Sequence, residues 1–424
     1  MSVRATASRT FSSLSNPNYR KYFIGQTTSL VGTWMQSTAQ SWLVLVLTHS
    51  ATDIGFVIAL QTLPVLVLGP YGGVVADRVD KRRFMILLQT LMGVQAAILA
   101  ALTLAHDVTY VEVCVLAVVL GLNNSFENPS RQAFILEMVG HQDLRNAVSL
   151  NSTMNNAARA IGPAAAGLLI AAVGEGWCFA LNAVSFVAVV GSLIAMDRSA
   201  LTPSPAAIRE RGQVREGLRY VARTPGLLVP LIMMALVGTL AYEFQVTLPV
   251  VADSVFHGGA RVYGGLVTAM GLGAVVGGLV SATRGRTGTR SMVAASGLFG
   301  LFLSLATIAP MIALEFAALA LVGFASVSFL AMGNSTLQLA SDPAMRGRVM
   351  ALWAVAFMGS TPIGGPLVGL ITMHFGARVG LGVGAWSCFA AAVIGLGALR
   401  RRANATVDAS ALGPRRGVGG ELDR

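Results

Sequence analysis

Charged residues are scarce in this chain. Only 12% of the 424 residues are Asp, Glu, Lys or Arg, whereas soluble globular chains carry roughly 25%. Hydrophobic residues make up 54%, and the mean hydropathy is +0.67. So little charge cannot cover a water-facing surface, which excludes a soluble enzyme, a nucleic-acid-binding protein and a disordered chain.

Cysteine and the motifs of nucleotide or metal chemistry are also lacking. Cys114, Cys178 and Cys388 lie in separate apolar runs, which predicts buried, unreactive thiols rather than disulfides or a metal site. There is no G-x-x-x-x-G-K-[ST] phosphate loop, so ATP bound to this chain does not drive its activity. We expect no catalytic, metal or cofactor site, and the polar segment 1–21 predicts no signal peptide.

Long apolar segments fill the rest of the sequence. A bilayer core of about 30 Å needs roughly 20 apolar residues per helix. The chain therefore predicts an all-α membrane protein with twelve transmembrane spans in two six-helix bundles. The predicted spans are 22–47, 55–76, 84–104, 110–131, 147–172, 178–196, 227–250, 262–283, 291–309, 312–335, 347–373 and 379–399.

Positive charge is concentrated on one predicted side of the membrane. All but three of the 30 Lys and Arg residues fall in the N-terminus, the loops after even-numbered spans, or the C-terminus; the exceptions are Arg159, Arg261 and Arg378. Cytoplasmic loops retain positive charge. We therefore predict a multi-pass protein of the cytoplasmic (inner) membrane with both termini in the cytoplasm. Its net charge of +11 then reflects topology and anionic lipid headgroups rather than nucleic acid.

One long connection divides the chain into two halves. It predicts a cytoplasmic N-terminus (1–21), an N-terminal bundle (22–196), a linker (197–225) with a surface helix in Arg209–Arg223, a C-terminal bundle (226–399) and a cytoplasmic tail (400–424).

The two halves also share short sequence patterns. Leu144–Val148 precedes span 5 as Met345–Val349 precedes span 11, about 201 residues later. Span 5 then carries Gly162, Pro163 and Gly167, and span 11 carries Gly365, Pro366 and Gly369, which together predict helix-bend motifs. Two related six-helix halves are a transporter architecture with a substrate site between them.

The loop after span 2 carries a specific motif. Gly73, Asp77, Arg78, Lys81 and Arg82 resemble the G-x-x-x-D-R-x-x-R/K-R signature of the major facilitator superfamily, with Asp80 where that family often has Gly. The resemblance implies a conformational-switch loop. A carboxylate at Asp77 is suited to pair with an Arg or to cap another helix N-terminus.

Longer stretches resemble the enterobactin-exporter and macrolide-efflux branch of that superfamily. They are Gly25-Gln26, Ser29–Gln36, Trp42-Leu43, Asn128–Arg131 and Asn146–Pro163. The Gly-Pro pair of span 5 is similar to a motif of the family's antiporters. The resemblance covers residues 16–400 and implies proton-driven export of a small organic molecule, drug-like or siderophore-like.

Polar residues inside the spans are costly and mark candidate pathways. One stripe lies on one face of span 1, where it either lines a cavity or bonds neighbouring helices; it comprises Gln26, Ser29, Thr33, Gln36 and Gln40. In span 5, Asn151, Asn155 and Arg159 recur at every fourth position. Arg159, near mid-depth, must meet an acid, helix carbonyls, water or an anionic substrate.

Acidic residues give two further candidates. Asn123 and Glu127 lie in span 4, where the spacing of Glu127 and Arg131 allows an ion pair. Glu127 alternatively forms a structural ion pair with Arg78 or Arg82 of the loop after span 2, or has a role in the pathway. In span 7, Tyr242 and Glu243 lie in the hydrocarbon zone. Desolvation disfavours a carboxylate there, which suits either a proton carrier or a static hydrogen-bonded acid. Glu315, at an outer helix end, is expected to be solvated.

These patterns favour a monomeric secondary transporter that exports a small molecule in exchange for protons within the lipid bilayer. Two alternatives remain: a proton-coupled nutrient uptake symporter of the same fold, and a non-transporting membrane receptor or scaffold.

Overall fold

The computed structural model describes residues 12–202, 213–284, 287–343 and 345–411. Helices form nearly all the regular structure of these residues. After a short 3-10 turn at Ser12–Ser15, the first half contains α1 (Pro17–Thr48), α2 (Ala51–Arg78), α3 (Lys81–Leu104), α4 (Tyr110–Gly140), α5 (Gln142–Val173) and α6 (Gly176–Ile194).

The second half follows the linker helix α7 (Gln213–Arg223). It contains α8 (Pro225–Leu240), α9 (Phe244–Val250) with a π turn at Val251–Val255, α10 (Gly259–Arg284), α11 (Thr289–Ile308), α12 (Ile312–Ala340), α13 (Arg346–Met358), α14 (Thr361–Phe375) and α15 (Ala377–Ala411). Spans 7 and 11 are thus each built from two helices, α8–α9 and α13–α14.

The predicted all-α membrane fold is confirmed. Within the described residues, eleven segments are long and apolar enough to cross a bilayer. The twelfth, α1, has 32 residues and is long enough to cross a bilayer, but its polar stripe makes it less apolar than the other eleven. The linker helix predicted within Arg209–Arg223 is present as α7, and residues 203–212 lie outside the described part.

Side-chain caps fix where several helices begin. Asn16 accepts hydrogen bonds from the N–H groups of Asn18 and Tyr19 at the start of α1, and Ser50 accepts one from Asp53 at the start of α2. Thr109 and Glu112 form a reciprocal capping box at the start of α4. These caps satisfy N–H groups that have no partner within the helix.

Glycine, rather than proline, separates spans 4 and 5. Helix α4 runs through Pro129 and ends at Gly140, whose φ of 69° lies in the left-handed region that favours glycine. Span 4 is therefore longer than the predicted 110–131. Pro163 and Pro366 also lie inside continuous helices, and the break in span 11 falls earlier, at Gly359–Ser360.

We call the face that carries the α2–α3 loop, the Gly140 break and the linker the linker side, and the opposite face the far side. On the linker side, Ser13 donates from its hydroxyl to Asn146 (2.7 Å), which ties the chain start to α5. In the second half, Glu216 of α7 pairs with Arg348 of α13 at 2.8 Å. Each half therefore has its own flanking segment bound at the start of its fifth span.

The short connection after α6 is also ordered by hydrogen bonds. The backbone N–H of Asp197 donates to Asn18 Oδ1 at 2.9 Å. Ser199 donates to the Asp197 carboxylate from its hydroxyl (2.7 Å) and from its backbone N–H (2.9 Å). The hydroxyl and the backbone N–H of Ser199 hold the pKa of the Asp197 carboxyl below its usual range.

Candidate functional site: a central cavity between the halves

A cavity of about 1040 Å³ lies between the two halves. Both contribute to its wall, and it extends to the linker-side end of α5 at Leu144 and Val148. Most of the wall is apolar, with a few polar and aromatic side chains, as in small-molecule sites. The lining residues used below are Trp34, Arg131, Asn151, Asn155, Arg159, Tyr242, Glu243, Phe244, Gln245, Tyr263 and Phe357.

Two helix crossings close the cavity on the far side. Gly167 of α5 faces Gly264 of α10, so closely that a Cβ atom added to Gly167 would lie 2.9 Å from the Gly264 Cα. Gly55 of α2 faces Gly365 of α14 equally closely, backbone against backbone. Small residues allow such approach between membrane helices. The halves therefore meet on the far side, and the cavity is reached from the linker side.

The predicted helix-bend motifs supply several of these close contacts. Besides Gly167 and Gly365, Gly162 packs against Trp34 and Met35, and Gly369 packs against Ala51. Each motif thus places glycine where a neighbouring helix passes. A bend at either motif stays a prediction.

Arg159 is brought to the cavity wall beside Trp34. Its guanidinium carbon lies 5.7 Å from the centroid of the Trp34 ring, within reach of a cation–π interaction. The Trp34 indole N–H donates to Asn155 Oδ1 at 3.2 Å. Asn151, Asn155 and Arg159 all line the cavity, so the predicted span 5 face is brought together there.

The break in span 7 places Tyr242 and Glu243 between α8 and α9. The Tyr242 hydroxyl donates to the Ser326 carbonyl at 2.7 Å, and its ring packs edge-on against Phe299 and Phe357. Glu243 is 5% exposed, packs against Gly364 of α14, and has a buried Oε1 without a hydrogen-bond partner among the described residues. Both residues border the central cavity.

Most of the span 1 stripe points into the N-terminal half instead. Asn182 donates to Gln36 Oε1 at 2.7 Å, and Gln36 donates to Gln95 Oε1 at 3.2 Å. Thr33, Gln36 and Gln40 line a second cavity of about 200 Å³. Gln26 and Ser29 are buried nearer the linker side, away from both cavities. The stripe thus combines both expectations, inter-helix bonding and cavity lining.

The span 4 patch forms a structural pair. Glu127 accepts from Gln89 at 3.1 Å and pairs with Arg131 at 3.1 Å, while Asn123 donates to the Leu88 carbonyl at 2.8 Å. The alternative that Glu127 binds Arg78 or Arg82 is wrong, because Arg82 donates to carbonyls of α6 and Arg78 is exposed.

The loop after α2 anchors three helices on the linker side. Lys81 pairs with Glu137 of α4 at 2.8 Å, and Arg82 donates to the Leu193 and Ile194 carbonyls at the end of α6. Asp80 caps α3 by accepting from the Arg83 N–H at 3.0 Å, which gives this Asp a role in place of the family's Gly.

The remaining members of the predicted switch loop lie on α2. Gly73 is buried and Asp77 half-buried, whereas Arg78, the last residue of the helix, is exposed. Among the described residues Asp77 has no ion pair, so the predicted pairing with an Arg is not formed in this conformation.

Sequence reasoning missed several residues of the cavity. Trp34 and Tyr263 are aromatic residues in apolar runs, so no local pattern separates them from core. Gln245 donates to Ser37 at 2.7 Å, a hydrogen bond between the halves; its position next to Glu243 was the available signal. The expected solvation of Glu315 is wrong: it is 1% exposed. Of the three free cysteines, Cys178 and Cys388 are buried and Cys114 is half-buried.

A sequence profile for transmembrane secretion effectors, a major facilitator family, matches residues 8–419. The chain belongs to this family. The enterobactin exporter EntS of Escherichia coli O1:K1 / APEC is 26% identical over 359 residues, covering 84% of this chain and 85% of that protein. The multidrug efflux pump Tap of Mycolicibacterium fortuitum is 28% identical over 367 residues, covering 82% and 88%.

A third relative, the staphyloferrin A transporter of Staphylococcus aureus, is 28% identical over 271 residues, or 61% of this chain and 66% of that protein. Among solved structures, the nucleoside transporter NupG matches with a TM-score of 0.73 at 12% identity, covering 90% and 99% of the two chains. A bacterial homologue of ferroportin in an inward-facing state matches with a TM-score of 0.71 at 15% identity, covering 90% and 98%. The chain is therefore a multi-pass membrane transporter of the major facilitator fold.

Proposed function

We propose that this protein is a secondary active transporter that exports a small organic molecule, drug-like or siderophore-like, in exchange for protons. The observation that carries this proposal is the central cavity, which is reached from the linker side and closed on the far side by two glycine crossings. The exporters EntS and Tap among its relatives support the direction.

The basic charge pattern supports a cytoplasmic linker side, with both termini there. The two bundles, 22–196 and 226–399, then rock about the cavity as rigid units joined by the linker 197–225. In the conformation described here the transporter is ready to load substrate from the cytoplasm. One chain supplies both cavity walls, which supports function as a monomer.

The α2–α3 loop is proposed to control closure of the linker side. Lys81 and Arg82 hold it against α4 and α6, so it moves with the N-terminal bundle. Within the part of the chain that the structure describes, Asp77 has no ion-pair partner in this open state. When the linker side closes, Asp77 is proposed to engage the start of α13 at Arg346. In the open state it is the end of α13 that lies against α2, where a Cβ atom on Gly359 would come 2.8 Å from Leu66.

Glu243 is the proposed proton carrier. It combines burial, a place on the cavity wall and an oxygen without a hydrogen-bond partner. Its charge state bears directly on the contact with Gly364 of α14, one residue before the far-side crossing at Gly365. Gain or loss of one proton at Glu243 is therefore suited to shift the equilibrium between the closed and the open form of this crossing, because an uncompensated buried charge is costly.

The proposal is tested in two steps. A deletion strain is screened for sensitivity to, or retention of, a panel of antibiotics and secreted metabolites, and the compounds found are then assayed in proteoliposomes with an imposed proton gradient. We expect proton-driven efflux by the wild type, its loss in Glu243→Gln, and retained substrate exchange without a gradient. Glu315→Gln is the matched control, since Glu315 is equally buried but does not line the cavity.

Each alternative has its own signature. Accumulation of substrate together with protons would establish the uptake symporter instead. Absence of movement under any gradient, with correct membrane insertion, would establish the receptor or scaffold. Proton-driven efflux that survives in Glu243→Gln and disappears in Glu315→Gln would move the proton site to α12.

A further inference from the structure

Arg159 is a cation on the cavity wall without an acidic partner. Ion pairs within the described residues join Lys81, Arg83, Arg131 and Arg348 to acidic residues, and Arg159 is not among them. Its guanidinium lies over the face of Trp34. A charge at this depth is unfavourable unless water or an anion satisfies it.

The other charged groups of the wall do not neutralise Arg159. Arg131 is already paired with Glu127 at 3.1 Å. Glu243 is turned towards Gly364 of α14 and lies beyond the 4.0 Å of an ion pair with Arg159. Among the described residues, Arg159 is therefore the cation of the cavity wall that has no acidic partner.

The geometry leaves this guanidinium ready to bind. The Arg159 guanidinium carbon lies over the Trp34 ring, 5.7 Å from its centroid, and the ion pairs of the described residues do not include it. Its N–H groups are therefore available to donate to a carboxylate through two parallel hydrogen bonds. Trp34 is itself held by the hydrogen bond from its indole N–H to Asn155 Oδ1. That bond also leaves the Asn155 amide N–H groups as additional donors beside the guanidinium.

The rest of the wall indicates what the anion is attached to. Tyr242, Phe244, Tyr263 and Phe357 border the cavity, and aromatic side chains favour flat, apolar ligand bodies. The volume of about 1040 Å³ accommodates a body much larger than an inorganic ion.

We infer that Arg159, positioned by Trp34, is the anion-binding residue of the central cavity, and that the substrates are organic anions with an aromatic or similarly flat apolar body. This inference rests on the proposed transport function for its biological meaning. The binding site itself is testable without any transport.

The experiment measures binding to the purified full-length protein by isothermal titration calorimetry. The probes share one ring system and differ in charge: 2-naphthoate, the neutral 2-naphthamide, and the cationic 2-naphthylmethylammonium. We expect naphthoate to bind most tightly, the amide less tightly and the ammonium least tightly. The affinity for naphthoate should exceed that for the amide about 10- to 100-fold, as for a hydrogen-bonded charge pair.

Variants assign the preference to Arg159. Arg159→Gln is expected to abolish the preference for naphthoate over the amide, and Arg159→Lys, which keeps the charge but loses the planar fork, to restore part of it. Arg261→Gln removes one positive charge from an exposed residue outside the cavity and is expected to leave the preference unchanged. Since a purely structural Arg159 would affect all three probes alike, the ratio of affinities distinguishes the two roles.

The inference is overturned if wild-type protein binds naphthoate no more tightly than the amide, including no binding of either, or if correctly folded Arg159→Gln keeps the preference. Failure of proton-driven efflux with intact naphthoate discrimination would reject the coupling proposal and retain the anion site. Proton-driven efflux of neutral or cationic compounds, without a preference for naphthoate, would reject the anion site and retain the coupling proposal.

Discussion

The far-side crossing of α2 and α14 gives a prediction with a definite size. A Cβ atom added at Gly55 would collide with the carbonyl group of Gly365 and lie 2.8 Å from the Pro366 nitrogen. All of these are backbone atoms, so no side-chain rotation relieves the collision and the helices must separate. Overpacking of this kind costs about 1–3 kcal/mol, and about 1.4 kcal/mol corresponds to a tenfold change in an equilibrium.

Gly55→Ala should therefore shift the ratio of far-side-open to far-side-closed molecules by about 5- to 150-fold towards the open state. Gly191→Ala is the matched control, because a Cβ there meets no atom within 4 Å. The measurement is the distance distribution between spin labels at His106 and Met311, which are exposed on the far side of the two halves. The three native cysteines are replaced beforehand.

We expect a second, longer distance to gain population in Gly55→Ala and not in Gly191→Ala. If Gly55→Ala keeps the wild-type distribution, the α2–α14 crossing does not hold the far side closed. If both variants shift equally, the effect reflects loss of glycine rather than contact between the helices.

Two further substitutions test contacts on opposite sides of the molecule. Lys81→Met removes the cation that lies 2.8 Å from the buried Glu137 carboxylate and should lower the free energy of unfolding by about 1.5–3 kcal/mol, as for a hydrogen bond to a charged group. Adding Glu137→Leu should restore part of this loss, and an unchanged denaturation midpoint in the single variant would contradict the prediction. Gln245→Leu removes the 2.7 Å hydrogen bond to Ser37, which is worth about 0.5–1.5 kcal/mol. It should therefore shift the same spin-label populations about 2- to 12-fold towards the far-side-open state. The control Thr90→Val removes a hydrogen bond within α3 and should leave the populations unchanged.

The helices and their grouping were accessible from sequence because they depend on local, repeated properties. Apolar length marks each span, and Lys and Arg mark the basic face. The spacing of Asn151, Asn155 and Arg159 also correctly placed three side chains on one face. Periodicity on a single helix is sufficient for such a prediction.

The features that sequence missed depend on what neighbouring helices present. Nothing in Ala241-Tyr242-Glu243 signals a helix break, yet the chain leaves helical geometry there. Glu315 is buried, although a position at a helix end predicts solvent. Trp34 lies between Thr33 and Met35 without a pattern of its own, and its role arises only from the approach of Arg159 on α5.

The polarity of α1 has a consequence for biosynthesis. This helix is the first transmembrane segment to leave the ribosome, and it is also the one that partitions least favourably into lipid, because its glutamine side chains are strongly hydrated. Gln36 finds its hydrogen-bond partners on α3 and α6, which are synthesised later. We therefore expect α1 to insert stably in the bilayer only after α6 has been synthesised. The helices of the N-terminal bundle would then assemble together rather than insert one after another.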